Sequence, residues 1–256
     1  MAGAERIRTA LNAGLAAGAM LIAAPAGAQG PATFEIGARV CGADQLRDES
    51  SSEYEQRLEA EDNTPGWIWL AIDTMQGGPE RMTFTLREVN GVRVLYANGA
   101  IDDRANDNLR TALAQYGAIE EVWLNSAGGN SRVGVQMGHT LREHGLITMV
   151  KAGNGCASAC STAFLGGLMR RVEPGAVYGV HMYSTQVDGT GPAVTQALFN
   201  DIQWQGAMGA TERIAYAQEM GVTRKWASIW SGTRPGCMTF MSQAELAETL
   251  VNNLLD

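Results

Sequence analysis

Three short segments of this 256-residue chain carry side chains or amides suited to acyl-transfer chemistry: Gly128-Gly129, Ser158 within Cys156-Ala157-Ser158-Ala159-Cys160, and His181. A serine hydroxyl is a poor nucleophile until a base takes its proton, and imidazole is the base most often used. A glycine pair permits a tight turn with uncovered backbone N–H groups. The Ala159 amide, one residue after Ser158 at a helix start, would point toward a developing anion. Such amides make an oxyanion hole, in which one donor is worth about 2.7–4 kcal/mol. Each residue also has a bland reading. A serine before a helix ordinarily caps it, a histidine on an apolar strand is ordinarily a core residue, and a Gly-Gly turn is ordinarily only a turn. His139 and His144, on the outer part of a helix, read as structural or exposed.

The elements that must position these residues follow from apolar periodicity. Trp67 to Leu70 reads as a short buried strand, and Asp44 to Glu61 as a surface helix or partly ordered linker. Met82–Val89 and Val92–Tyr96 flank Asn90-Gly91 as a hairpin. Val92 to Ala97 then begins an alternation. Asp102 and Asp103 stand where they would cap a helix carrying Leu109, Leu113 and Tyr116. Val122 to Leu124 is a second strand, Val133 to His144 an amphipathic helix closed by Gly145, and Ile147 to Val150 a third strand. Ser161 to Met169 continues as an apolar helix, and Val172 to Tyr183 reads as paired strands around Glu173-Pro174-Gly175. Ala193 to Met220 is helical, and Ser242 with Glu245 forms a capping box for a last helix reaching about Asn252. The order predicts an α/β fold with right-handed crossovers and a mostly parallel sheet. Gly128-Gly129 and Ser158 both follow strands, whose carboxyl ends share one sheet edge, so they could face one cleft.

Composition sets the context. With 45% hydrophobic and 18% charged residues the chain can bury a sizeable core, which excludes a disordered or collagenous protein. A net charge of -8 argues against nucleic acid as a partner. Residues 1–28 read as a signal peptide: Arg6 and Arg8, an apolar run from Leu11 to Ala24, then Ala26-Gly27-Ala28. The expected mature chain is secreted or periplasmic and has no membrane span. In an oxidising compartment Cys41, Cys156, Cys160 and Cys237 could pair in any of three ways. Cys156 and Cys160 pair easily only if Cys156 precedes the helix, since within one helix their Cβ atoms would be about 5–6 Å apart. Spacing gives no zinc site, and no cofactor or metal is expected.

The motif order from about Val92 to Leu255 resembles the ClpP/crotonase superfamily, and most nearly its ClpP-type serine peptidases. Leu124-Asn125-Ser126-Ala127-Gly128-Gly129 is similar to that family's Asn-Ser-Pro-Gly-Gly turn, and Ser158 follows Gly129 by the 29 residues its pattern requires. Gly179-Val180-His181-Met182 is similar to the strand bearing the family's histidine, and Met241 to Glu248 to its last helix start. The resemblance implies a spiral of β-β-α units over 91–256, with a 29–90 extension that includes a hairpin strand. It implies Ser158 as nucleophile, His181 as base, and the Gly129 and Ala159 amides as oxyanion hole. The expected function is that of an exported serine hydrolase, a peptidase acting on peptide or protein substrates; the alternative is a catalytically inactive binding or assembly protein. Assembly as a homo-oligomer through Ala193 to Met220 is also implied. One position departs from the family: the expected third member, an aspartate, falls at Met238. Asp188 or Asp201 could substitute from another direction. A Ser–Lys dyad would need Lys151 or Lys225, neither of which falls at the family's lysine position. The two cysteines flanking Ser158 could brace its turn, or tune access to it by redox state.

Overall fold

Asn90 and Gly91, both in the left-handed region (φ 53° and 82°), reverse the chain between β2 (Thr83–Val89) and β3 (Val92–Asn98), whose register pairs Val89 with Val92. In the computed structural model, which describes residues 38–41, 49–182, 195–234 and 236–254, this hairpin is the antiparallel edge of a five-stranded sheet. The order is β2-β3-β4-β5-β7, with β4 (Glu121–Asn125), β5 (Ile147–Val150) and β7 (Met169–Val172) added in parallel. A second sheet has the order β1-β9-β8-β6, built from β1 (Ala38–Cys41), β6 (Gly155–Ala157), β8 (Val177–Val180) and β9 (Cys237–Phe240). The described residues therefore form a mixed α/β protein with two sheets.

Successive units step from the first sheet to the second layer and return through a helix. β3 leads to Ile101, which bridges Gly129, and then to α3 (Ala105–Tyr116). β4 leads to Ser126, which bridges Cys156, and then to α4 (Ser131–Glu143). β5 leads to β6 and α5 (Ala159–Phe164), and β7 to β8, which is parallel to β6. The apolar faces of α3, α4 and α5 meet in one core with Leu95, Leu109, Leu124, Met137, Leu141, Phe164 and Trp226. α2 (Gly66–Gln76) buries Ile68, Ala71, Ile72 and Met75 against Ala157, Val177 and Phe240 of the second sheet. No helix among the described residues is long and apolar enough to cross a membrane.

Several local expectations change. Trp67 to Leu70 is helix, not strand, because the apolar series continues at helical spacing through Ala71, Ile72 and Met75. The strands expected to pair around Glu173-Pro174-Gly175 do not pair with each other: β7 and β8 join different sheets, Pro174-Gly175 carries the chain between them, and Tyr183 lies outside the described residues. This crossing runs beside the β5–β6 step, where the Gly153 amide donates to Gly175 and the Val177 amide to Asn154. α5 stops at Phe164 instead of running to Met169: the Leu165, Gly166 and Gly167 amides donate three residues back, to Thr162, Ala163 and Phe164, and the Leu168 amide donates to Leu146. Arg170, fully buried, donates to Leu165 and Gly167, and Arg142 donates to Gly166 (2.9 Å). Burial, reinforced by Arg142, pushes the Arg170 guanidinium down to about 10. Neither Asp102 nor Asp103 caps α3, whose cap position is Arg104; Asp103 instead accepts from the Asn130 side chain at 2.7 Å. The capping box of Ser242 and Glu245 opens α8 (Gln243–Glu248), which ends before Asn252. Asn252 and Asn253 accept from the Val172 and Arg170 amides of β7.

Candidate active site

β6 ends at Ala157 and α5 begins at Ala159, so Ser158 alone makes the corner. Its backbone takes φ 57° and ψ -120°, a region that L-residues avoid. Such a conformation costs about 1–3 kcal/mol and persists only where neighbours over-determine it. The neighbours are evident. The Ser158 amide donates to Gly179 of β8 (3.0 Å), the Ala157 amide to Ser126 (3.0 Å), and the Ser161 hydroxyl to the Ser158 carbonyl (2.6 Å). From Gly155 to Gly167 every residue is buried except Ser158. The corner thus presents one hydroxyl outward from a closed surface.

That hydroxyl does not cap α5. Ser158 Oγ lies 2.7 Å from His181 Nε2, at the position immediately after β8. Because β6 and β8 are parallel neighbours, with Ala157 opposite Gly179, the residues just beyond them come side by side. The sheet register, not the 23-residue sequence separation, makes this contact.

The glycine turn after β4 closes on the same corner. Gly128 and Gly129 have φ of 101° and 137°, and a Cβ on Gly128 would lie 2.7 Å from Ser158 Cβ and 2.9 Å from the Ala159 nitrogen. A Cβ on Gly129 would fall 2.3 Å from the Ile101 carbonyl oxygen. Both positions therefore demand glycine. The turn is pinned by the Gly128 amide donating to Ser126 Oγ (3.1 Å), the Ile101 amide donating to Gly128, and the Asn130 amide donating to Ile101. Gly129 is exposed. Three segments that the sequence singles out, Gly128-Gly129, Ser158-Ala159 and His181, thus meet at one place. Spacing alone does not reveal that Gly128 makes the close approach, nor that Ser126 holds the turn. Two consecutive glycines, which permit successive positive φ angles and a close backbone approach, are the sequence signal that could have.

The cysteines form two disulfides, Cys41–Cys237 and Cys156–Cys160. The second brackets Ser158, and Cys156 does precede the helix, on β6. Among the described residues no group of histidine, cysteine, aspartate and glutamate could hold a metal. Met238, at the position where the resemblance places an aspartate, lies on β9 against Gly179, where a Cβ would be 2.9 Å from its sulfur. Asp201 is exposed and accepts from Gln205; Asp188 lies outside the described residues. Lys151 pairs with Glu173 and Lys225 with Glu248. His139 faces Glu219 and Tyr216, and His144 contacts the Thr140 carbonyl. Of these, the described residues make no hydrogen bond or ion pair with Ser158. Tyr178, one residue before Gly179, is held above its ordinary pKa by burial, stays neutral, and donates to the Ser161 carbonyl.

No protein-family model matches this chain, and no curated protein matches it. The functional reading therefore rests on the residues and their geometry.

Proposed function

We propose that this chain is an exported serine hydrolase of the ClpP-like type, acting on peptides or a related acyl substrate. The observation that carries it is the 2.7 Å contact between Ser158 Oγ and His181 Nε2 at the one accessible, backbone-strained residue of a buried segment. In this reading Ser158 Oγ attacks the substrate carbonyl carbon as its proton passes to His181 Nε2. The oxygen that gains the negative charge accepts from the Gly129 and Ala159 amides. His181 then gives the proton to the leaving amine as the C–N bond breaks, and water repeats the sequence on the acyl-enzyme to release the acid.

The stepping of each unit between two sheets supports a ClpP/crotonase-like spiral of β-β-α units. Two disulfides are compatible with an extracellular or periplasmic location. Self-association belongs to the same proposal, on the exposed Leu198, Phe199, Trp204 and Met208 of α6 (Gln196–Glu219). A second reading, a silent binding or assembly protein on the same scaffold, is favoured by Met238 at the position of the family's acid.

A fluorophosphonate probe separates the two. Covalent labelling that is lost in Ser158→Ala, and weakened in His181→Ala, is the expected result. Absence of labelling, or labelling that survives Ser158→Ala, overturns the hydrolase reading in favour of the silent one.

A further inference from the structure

We propose that the Cys156–Cys160 disulfide is a positioning device for the Ser158 corner, holding the hydroxyl on His181 and the Ala159 amide toward the glycine turn. The inference deepens the hydrolase reading and rests on it for its catalytic consequence. Its geometric core stands separately.

The bridge joins the residue two before Ser158 to the residue two after it, across a Cα–Cα distance of 5.2 Å. It ties the last turn of strand to the first turn of helix around the one residue with a disfavoured backbone. The strand side of the corner is secured by sheet hydrogen bonds from Ala157 and Ser158. The helix side is weaker. α5 is six residues long, too short to be stable by itself, and its cap position supplies no side-chain hydrogen bond. Of the two bonds that α5 gives the Ser158 carbonyl, the backbone one from the Thr162 amide is stretched to 3.4 Å, and the shorter, 2.6 Å, comes from the Ser161 side chain. Cys160 is the covalent tie on that side, one residue beyond the Ala159 amide.

Two further observations set its role. Cys156 and Cys160 are both 0% exposed, so an external thiolate has no access to either sulfur. This favours a permanent brace over a redox-tuned gate. A bridge only four residues long also constrains the unfolded chain little, whereas Cys41–Cys237 spans 196 residues. The short bridge is placed to fix local geometry.

The test compares the parent protein with Cys156→Ala/Cys160→Ala, Cys41→Ala/Cys237→Ala and Ser158→Ala. Cys156→Val/Cys160→Ala, which keeps more of the buried volume, serves if the alanine pair does not fold. Histidine side-chain 15N NMR reads the Ser158–His181 contact whether or not the protein is an enzyme. Expected is a His181 signal in the Cys156/Cys160 variant shifted toward that of Ser158→Ala, with the Cys41/Cys237 variant unchanged from the parent. In parallel the fluorophosphonate reaction should slow by about 100-fold, the scale of a 1 Å misplacement, with KM for a small ester little altered. A Cys156/Cys160 variant whose His181 signal stays that of the parent overturns the positioning role. A parent that fails to label overturns the hydrolase reading, and the NMR comparison still decides the brace.

Discussion

The two disulfides hold two very different regions. Cys41 and Cys237 face each other across β1 and β9, at the outer edge of the four-stranded sheet, and close a loop of 196 residues. Cys156 and Cys160 close a loop of four in the buried core, between β6, the opposite end of the same sheet, and α5. In the chain-entropy account the long loop is worth about 5 kcal/mol and the short one about 2 kcal/mol, because the penalty lifted from the unfolded state grows with loop length. Among the described residues the β1 edge is held by a ladder to one neighbour, the Arg39 side chain donating to Thr239 (3.2 Å), Ala38 and Val40 packed against the core under the second sheet, and the Cys41 amide donating to the buried carboxylate of Glu61 (2.7 Å). The Ser158 corner, by contrast, is already enclosed by β8, Ser126 and α4. One bridge therefore supplies stability at an edge laddered to one neighbour. The other supplies orientation where contacts are many but one backbone angle is unfavourable.

The largest effect expected from breaking this contrast is at the edge. Cys41→Ala/Cys237→Ala should lower the unfolding free energy by about 5 kcal/mol, read as a shift in the midpoint of guanidinium denaturation. The same variant should leave the chemistry of Ser158 untouched. A loss no larger than that of the short bridge would show that loop length does not govern the difference.

A second prediction approaches the Ser158 corner from the opposite wall. In Gly128→Ala the new methyl would have to share space with the Ala157 carbonyl, Ser158 Cβ and the Ala159 nitrogen, all within 2.9 Å, at a φ that alanine rarely adopts. The turn must move, and in the proposed mechanism the Gly129 and Ala159 amides would no longer converge on one oxygen. Fluorophosphonate labelling should fall by at least the roughly 10²–10³ that follows loss of one oxyanion donor. Labelling at the parent rate would mean that the glycine turn and the serine corner act independently.

What the sequence makes legible follows the range of the interactions. The Asn90-Gly91 hairpin, the amphipathic series Val133, Met137 and Leu141, and the Ser242–Glu245 capping box depend on neighbours a few residues away, and the structure has all three. Trp67 to Leu70 misleads because four apolar residues suit a buried strand or a buried helix equally; the next turn, ending at Met75, decides. The fate of β7 and β8 is set by partners far along the chain, and nothing in Glu173-Pro174-Gly175 says that the flanking strands part. The same divide runs through the site. Residue type and the strand-end positions of Gly129 and Ser158 are visible in the sequence, whereas His181 reads as lying within a strand and falls just beyond the end of β8. The meeting of Ser158 with His181 comes from the parallel register of β6 and β8, the approach of the glycine turn from its pairing with Ile101, and the choice among three cysteine pairings from where β1 lies against β9.

The smallest effect bears most directly on whether the corner is held against its own preference. At φ 57° and ψ -120° Ser158 carries a Cβ that a glycine would not, so Ser158→Gly should relieve strain that Ser158→Ala retains. Both variants lose the hydroxyl and its contact with His181, so subtracting one from the other cancels that loss. Glycine also widens the unfolded ensemble, which opposes the relief by about 0.4–1 kcal/mol. The net expectation is a Ser158→Gly protein more stable than Ser158→Ala by about 1 kcal/mol, measured by chemical denaturation of both in one buffer. Repeating the pair in the Cys156→Ala/Cys160→Ala background sharpens the result. If the bridge holds the strained angle in place, its removal lets the alanine relax, and the difference between the two variants should shrink and, on full relaxation, reverse by the glycine cost of about 0.4–1 kcal/mol. An undiminished difference would place the restraint in β8 and Ser126 instead of the sulfur bridge.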